Sequence, residues 1–140
     1  KDWEWVSIDE KYHQRQYTLV DQSQFRKVIR GMWRAVNAPA GSGNTAASAA
    51  VPGLDICGKT GTAQNPRGAD NSVFMCFAPQ DNPRIAVVAY IENAGSGASW
   101  ASPIASLLVE KYLNGEISDA RKGVEARVLN TNLMNQVKAY

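Results

Sequence analysis

Long hydrophobic runs, histidine, cysteine and any strong excess of charge are all scarce in this sequence. No stretch of about 18 apolar residues occurs, which excludes a membrane-spanning helix within it. The opening Lys1-Asp2-Trp3-Glu4-Trp5 is charged and aromatic, unlike a signal peptide. It also lacks an initiator Met, so a processed chain or a piece of a longer one is expected. Two cysteines, Cys57 and Cys76, are too few for a disulfide scaffold and lack the spacing of zinc ligands. The one histidine, His13, sits among the polar Tyr12, Gln14 and Arg15 and reads as a surface residue rather than a catalytic one. Lys+Arg number 15 against 13 Asp+Glu, and the net charge of +2 leaves no footprint for nucleic acid.

What is present suffices for one folded domain. The chain has 140 residues, 44% of them apolar, with four Trp and five Tyr. A chain of that size buries about two thirds of its unfolded surface. Residues 1–20 show no clear period and read as a loop, or as a strand piece around Tyr17-Thr18-Leu19-Val20. Phe25, Val28, Ile29, Met32, Trp33 and Val36 then recur at helical spacing, which predicts an amphipathic helix over residues 22–37. Asp21 or Ser23 is its expected cap. A small-residue connection over 38–53 leads to three extended segments, 54–63, 72–79 and 84–92. Short turn-rich spacers predict antiparallel neighbours. The third, Ile85-Ala86-Val87-Val88-Ala89-Tyr90-Ile91, is apolar on both faces and is expected to be a central strand. A second helix is predicted over 99–114, with Pro103 in its first turn and Gly115 at its end. Its buried side should be Trp100, Ile104, Leu107, Leu108 and Val109. The polar tail from Ser118 to Tyr140 reads as a loosely attached helix. The expected class is α+β, a three-stranded antiparallel sheet flanked by helices.

Two motifs compete for Lys59. Residues 53–60, Gly-Leu-Asp-Ile-Cys-Gly-Lys-Thr, match the phosphate-loop pattern by letter. That pattern needs a buried strand before it and a helix after it. Here Ala-Ala-Ser-Ala-Ala-Val-Pro precedes it, and Gly61 and Asn65-Pro66 follow, so the required context fails. The second reading is the Lys-Thr-Gly triplet of Lys59-Thr60-Gly61-Thr62-Ala63-Gln64 on a strand edge. There a lysine supplies positive charge beside a nucleophilic serine and attracts an anionic substrate. Thr60 and Thr62 offer hydroxyl donors to a carboxylate. Gly61 lets a substrate backbone lie against the strand. The Thr62 N–H can stabilise the oxyanion of a tetrahedral intermediate, an effect worth about 3 kcal/mol for one such donor.

Around that motif lie Gly31-Met32, Asn44-Thr45-Ala46, Phe77-Ala78-Pro79, Asn82-Pro83, Ala86-Val87 and Glu92-Asn93. Together with Gly58–Gln64 they resemble the elongation-type class B penicillin-binding proteins, over residues 21–115. Asn44 stands where the family's Gly-Thr-Ala turn has glycine. The resemblance implies a partial serine β-lactamase/transpeptidase-like fold, with residues 1–140 as a C-terminal fragment of the domain. It implies Lys59 and Thr62 as catalytic residues, Thr60, Gly61 and Thr62 as substrate-binding residues, and no metal or organic cofactor. It implies a parent that is a periplasm-facing, membrane-anchored D,D-transpeptidase. Its partners would be D-Ala-D-Ala stem peptides, β-lactams and the rest of the parent domain. A non-catalytic β-lactam-sensing or binding module of the same fold is the alternative.

The family's chemistry also needs Ser-x-x-Lys and Ser-x-Asn. No serine in this sequence has Lys three places on, so the nucleophile lies outside it. Ser42-Gly43-Asn44 matches Ser-x-Asn by letter, but only fifteen residues before Lys59, and reads as coincidence. Cys57 and Cys76 fall on strands joined near residues 64–71. Two buried thiols are preferred to a bridge, although an oxidising compartment would permit one. Asn65–Asn71 reads as an ordinary hairpin connection rather than a mobile rim presenting Arg67. Met32, Trp33 and Trp100 read as packing residues.

Overall fold

The structure is a computed structural model and describes residues 13, 14 and 17–136. Residues 1–12 of the expected N-terminal loop, and 137–140 of the expected tail helix, lie outside the described residues. Tyr17–Val20 are exposed and form no strand, so the loop reading holds there. His13 is exposed.

Helix α1 spans Gln22–Asn37. Its cap is Asp21, whose Oδ1 accepts from the Ser23 N–H at 2.7 Å. Hydrogen bonding from Ser23, by its side chain first and its backbone N–H second, holds the Asp21 carboxyl below its ordinary value. The apolar stripe of α1 is only half used. Val36 is buried and Ile29, Met32 and Trp33 are half-buried, but Phe25 and Val28 stay exposed. The helix reaches the sheet through its C-terminal half, against strand β1, Cys57–Ala63.

Strand β2, Asn71–Ala78, pairs antiparallel with β1 and with β3, Ile85–Ile91, in the order β1-β2-β3. The expected central place of the third segment is therefore corrected: β2 is central and β3 is at the edge. Its inward residue Ala89 is buried, whereas Ala86, Val88 and Tyr90 are exposed. An apolar residue marks a face suited to burial, not the presence of a layer that buries it.

Helix α2, Ala101–Asn114, covers β2 and β3. Phe74, Cys76 and Ala78 of the sheet meet Ala101, Ala105 and Val109 of α2 in the core. Small residues at i, i+4 and i+8 let the helix approach closely. Leu107 and Val109 are buried as expected, but Leu108 is exposed and Trp100 and Ile104 are half-buried. The Ser72 hydroxyl joins strand to helix: it donates to Ser96 O at 2.7 Å and accepts from the Ala101 N–H at 3.1 Å. Gly115 ends α2 at φ 82, the left-handed value glycine favours.

The tail is tied down more firmly than its polarity suggests. A 3₁₀ turn, Asp119–Arg121, leads into α3, Lys122–Asn130. Arg121 inserts beneath it. Its Nε meets Glu110 Oε2 at 3.0 Å, its Nη2 donates to Ser106 Oγ at 2.6 Å, and its Nη1 donates to Ala50 O at 2.8 Å. Glu110 is fully buried, and its Oε1 accepts from the Ser118 N–H and hydroxyl. Desolvation pulls the guanidinium below its ordinary value, and the facing carboxylate opposes this. Arg127 of α3 stacks over Trp100, 4.6 Å from the ring centroid.

Candidate active-site wall

Lys59 is the third residue of β1, and Thr60, Gly61 and Thr62 continue the strand. No helix begins at Lys59, so the phosphate-loop geometry is absent from this segment. Among the described residues no strand pairs with the far side of β1. The motif thus lies along an open sheet edge, where backbone groups are free to meet an extended peptide.

Alternation divides the four residues between two faces. Lys59 and Gly61 face outward with their partners Met75 and Val73. Thr60 and Thr62 share the other face with Phe74 and Ser72. The Lys59 side chain is exposed, and its Nζ donates to Thr60 O at 2.5 Å. Thr60 is half-buried and Thr62 is exposed. All four are therefore brought to one edge, but the lysine and the two hydroxyls leave it in opposite directions.

Two glycines make this edge possible by close approach. A methyl group on Gly58 would stand 2.7 Å from Phe74 Cε2, inside contact distance of a fully buried ring. A methyl group on Gly97 would stand 2.5 Å from the Gly61 carbonyl oxygen and overlap that of Val73. The loop after β3 therefore lies directly on the backbone of Gly61.

The ends of β1 are held by side chains that sequence reading overlooked. At its entry the Trp33 Nε1–H donates to Asp55 Oδ1 at 2.9 Å. Asn37 Nδ2 donates to Ile56 O at 2.8 Å. An indole N–H commonly finds a hydrogen-bond partner, and Asp55 just before the strand was the available signal. At its exit, Asn65 Nδ2 donates to Asn93 Oδ1 at 2.8 Å, and the Asn93 N–H donates to Asn71 Oδ1 at 2.9 Å. The Arg67 N–H donates to Asn65 Oδ1 at 3.0 Å. These bonds make 65–71 a pinned hairpin connection, with the Arg67 side chain exposed.

Ser42 lies in an exposed turn, and its hydroxyl donates to Pro39 O at 2.6 Å. This fits a turn role for Ser42-Gly43-Asn44. Cys57 and Cys76 are free and buried. Cys57 pairs with Phe77 and Cys76 with Gly58, so the two thiols stand on opposite faces of the sheet. Burial pushes both up from 9.0 to about 11, with Asp55 and Asp81 adding to the effect at Cys57. A raised folded value favours the neutral thiol, an effect full below pH 9 and lost as pH climbs through about 11. At pH 8 both thiols should react with a disulfide reagent about 100-fold more slowly than in the unfolded chain. Equal rates in the two states would contradict their burial.

The family described as penicillin binding protein transpeptidase domain matches residues 3–110. This chain belongs to that family. Over 108 residues it is 36% identical to the peptidoglycan D,D-transpeptidase MrdA of Haemophilus influenzae, covering 66% of this chain and 16% of that protein. Over 76 residues it is 36% identical to the peptidoglycan D,D-transpeptidase PbpA of Mycobacterium tuberculosis, covering 48% of this chain and 16% of that one. Among solved structures it is similar to Pseudomonas aeruginosa PBP2, with a TM-score of 0.61 and 31% identity over 74% of this chain and 23% of that chain. It is also similar to penicillin-binding protein A of M. tuberculosis in its imipenem acyl-enzyme complex. There the TM-score is 0.57 and the identity 28%, over 70% of this chain and 21% of that chain. The antiparallel sheet and covering helices of this chain thus form part of the family's fold. The chain spans about a sixth of the length of the curated relatives it matches.

Proposed function

We propose that this chain is the C-terminal part of the transpeptidase domain of a peptidoglycan D,D-transpeptidase, and that it contributes the Lys-Thr-Gly wall of the active site. The observation that carries this is Lys59-Thr60-Gly61-Thr62 standing on a strand edge that no other strand among the described residues covers, in a chain of this family.

In this reading a serine elsewhere in the whole protein attacks the carbonyl of the D-Ala-D-Ala bond. The carbonyl oxygen becomes an oxyanion, the terminal D-alanine leaves with a proton, and an acyl-enzyme remains. The amine of a second stem peptide then takes the acyl group and releases the serine. Lys59 supplies positive charge beside the serine and draws in the anionic substrate. The Thr62 N–H steadies the oxyanion, and the hydroxyls of Thr60 and Thr62 bind the substrate carboxylate. Gly61 leaves room for the peptide backbone along the edge. β-Lactams follow the same first step: the serine oxygen bonds to the lactam carbonyl carbon, the lactam C–N bond breaks, and the nitrogen takes a proton but stays tethered to the acyl group through the rest of the drug. The acyl-enzyme described for the mycobacterial relative supports this. The work would take place on the periplasmic side of a membrane to which the whole protein is anchored, in wall growth that sets cell shape.

Mass spectrometry after penicillin treatment tests the division of labour. The whole protein should gain one penicillin, and this chain alone should gain none, because no serine in it belongs to Ser-x-x-Lys. An adduct on the isolated chain would place a nucleophile within it and overturn the assignment.

A further inference from the structure

The last turn of α1 grips the chain just ahead of the lysine. Asn37 Nδ2 donates to Ile56 O at 2.8 Å and to Trp33 O at 3.0 Å. One turn earlier on the same helix face, Trp33 Nε1 donates to Asp55 Oδ1 at 2.9 Å. Asp55 holds a left-handed φ of 42, and Gly53 before it holds φ 80. The chain therefore enters β1 through a tight reversal, fastened at two consecutive residues. Lys59 follows Ile56 by three positions.

Asn65 and Asn93 hold the far end of that edge and the loop after β3 lies on Gly61, so the entry is the end that α1 sets. Among the described residues β1 is paired with β2 alone. The Lys59 side chain is exposed and bonded to the carbonyl of its own neighbour. Where its ammonium stands thus follows from where the backbone runs. The ladder to β2 sets one side of β1, and the two bonds from α1 set its start.

The geometry points to Trp33 and Asn37 as positioning residues, which hold the Lys59–Thr62 edge at its working height through Asp55 and Ile56. This inference rests on the reading of that edge as the acylation wall. Removing Asn37 leaves the Ile56 carbonyl without this donor, and removing the indole N–H frees Asp55. Either change lets the strand entry shift. Displacements near 1 Å, made away from the chemistry, can cost up to about 100-fold in rate.

The test uses the whole transpeptidase and a chromogenic cephalosporin, with the acylation rate constant separated from the non-covalent dissociation constant. Trp33→Phe keeps an aromatic ring and removes the N–H together with part of the indole's bulk. Asn37→Ala removes both amide bonds. Both should lower the acylation rate constant about 10-fold per folded molecule and leave the dissociation constant within about two-fold. Asp55→Asn keeps an acceptor and tolerates the left-handed backbone, so it should acylate close to the unaltered rate. Lys59→Ala serves as the reference. Unchanged acylation in Trp33→Phe and Asn37→Ala, beside an inactive Lys59→Ala, would overturn the positioning role while sparing the wall. Full acylation of Lys59→Ala would instead overturn the wall, and this inference with it. Should Asn37→Ala fail to fold, Trp33→Phe decides alone.

Discussion

Replacing Lys59 by alanine in the whole transpeptidase should slow penicillin acylation by a factor of about 10² to 10³, the range seen when one preorganised electrostatic group is removed. The size follows from where the residue stands. Its side chain is exposed on a strand that pairs on one side only among the described residues, so in the proposed mechanism substrate meets it without moving protein backbone. A preorganised charge acts on the transition state at no cost of reorganisation. The fold should tolerate the change, because the side chain is exposed and supports no core contact. Acylation would be followed with a fluorescent penicillin, beside a melting curve to show that the protein remains folded. Labelling at the unaltered rate by a folded Lys59→Ala protein would remove the lysine from the mechanism.

The second large effect is on stability. Arg121→Met should cost about 3–5 kcal/mol, the usual consequence of leaving one partner of a buried ion pair uncompensated. Glu110 keeps its bonds from Ser118, but its Oε2 loses the guanidinium in a site where the carboxylate side chain is only 1% exposed. Ser106 and the Ala50 carbonyl lose a donor as well. Exchanging both members, Glu110→Leu with Arg121→Met, should recover much of that loss, since no charge is then left buried. Urea denaturation of the three variants measures this. Additive costs, with no recovery in the double variant, would mean that the pair does not act as a unit.

These two residues show where the sequence was silent. Glu110 lies among apolar neighbours in α2, and Arg121 lies in a polar tail, with nothing local to join them. Their pairing exists only because the 3₁₀ turn at Asp119–Arg121 folds back beneath α2. A helix read by its large apolar residues also misplaces its buried face. α2 buries Ala101, Ser102, Ala105 and Ser106, whose small size lets it sit close to the sheet, and it exposes Leu108.

Local chemistry was the legible part. The Asp21 cap, the stop at Gly115 and the turns between strands each depend on a few adjacent residues, and each stands where expected. The Lys-Thr-Gly strand was legible for the same reason: Gly61 and Pro66 made a helix after Lys59 untenable. The place of β3 was not. Its two apolar faces reflect what the strand is suited to touch, and one of them, with Val88 and Tyr90, is open among the described residues. The grip of Trp33 and Asn37 on the entry to β1 was equally hidden, since it joins side chains to positions 22 and 19 residues away.

The most direct measurement is a crystal structure of the whole protein acylated by a penicillin. The acyl carbonyl oxygen should lie within hydrogen-bond reach of the Thr62 N–H, with the drug's carboxylate against the hydroxyls of Thr60 and Thr62 and the ammonium of Lys59 close to the acylated serine. Density for the acyl group on a surface away from β1 would contradict the account.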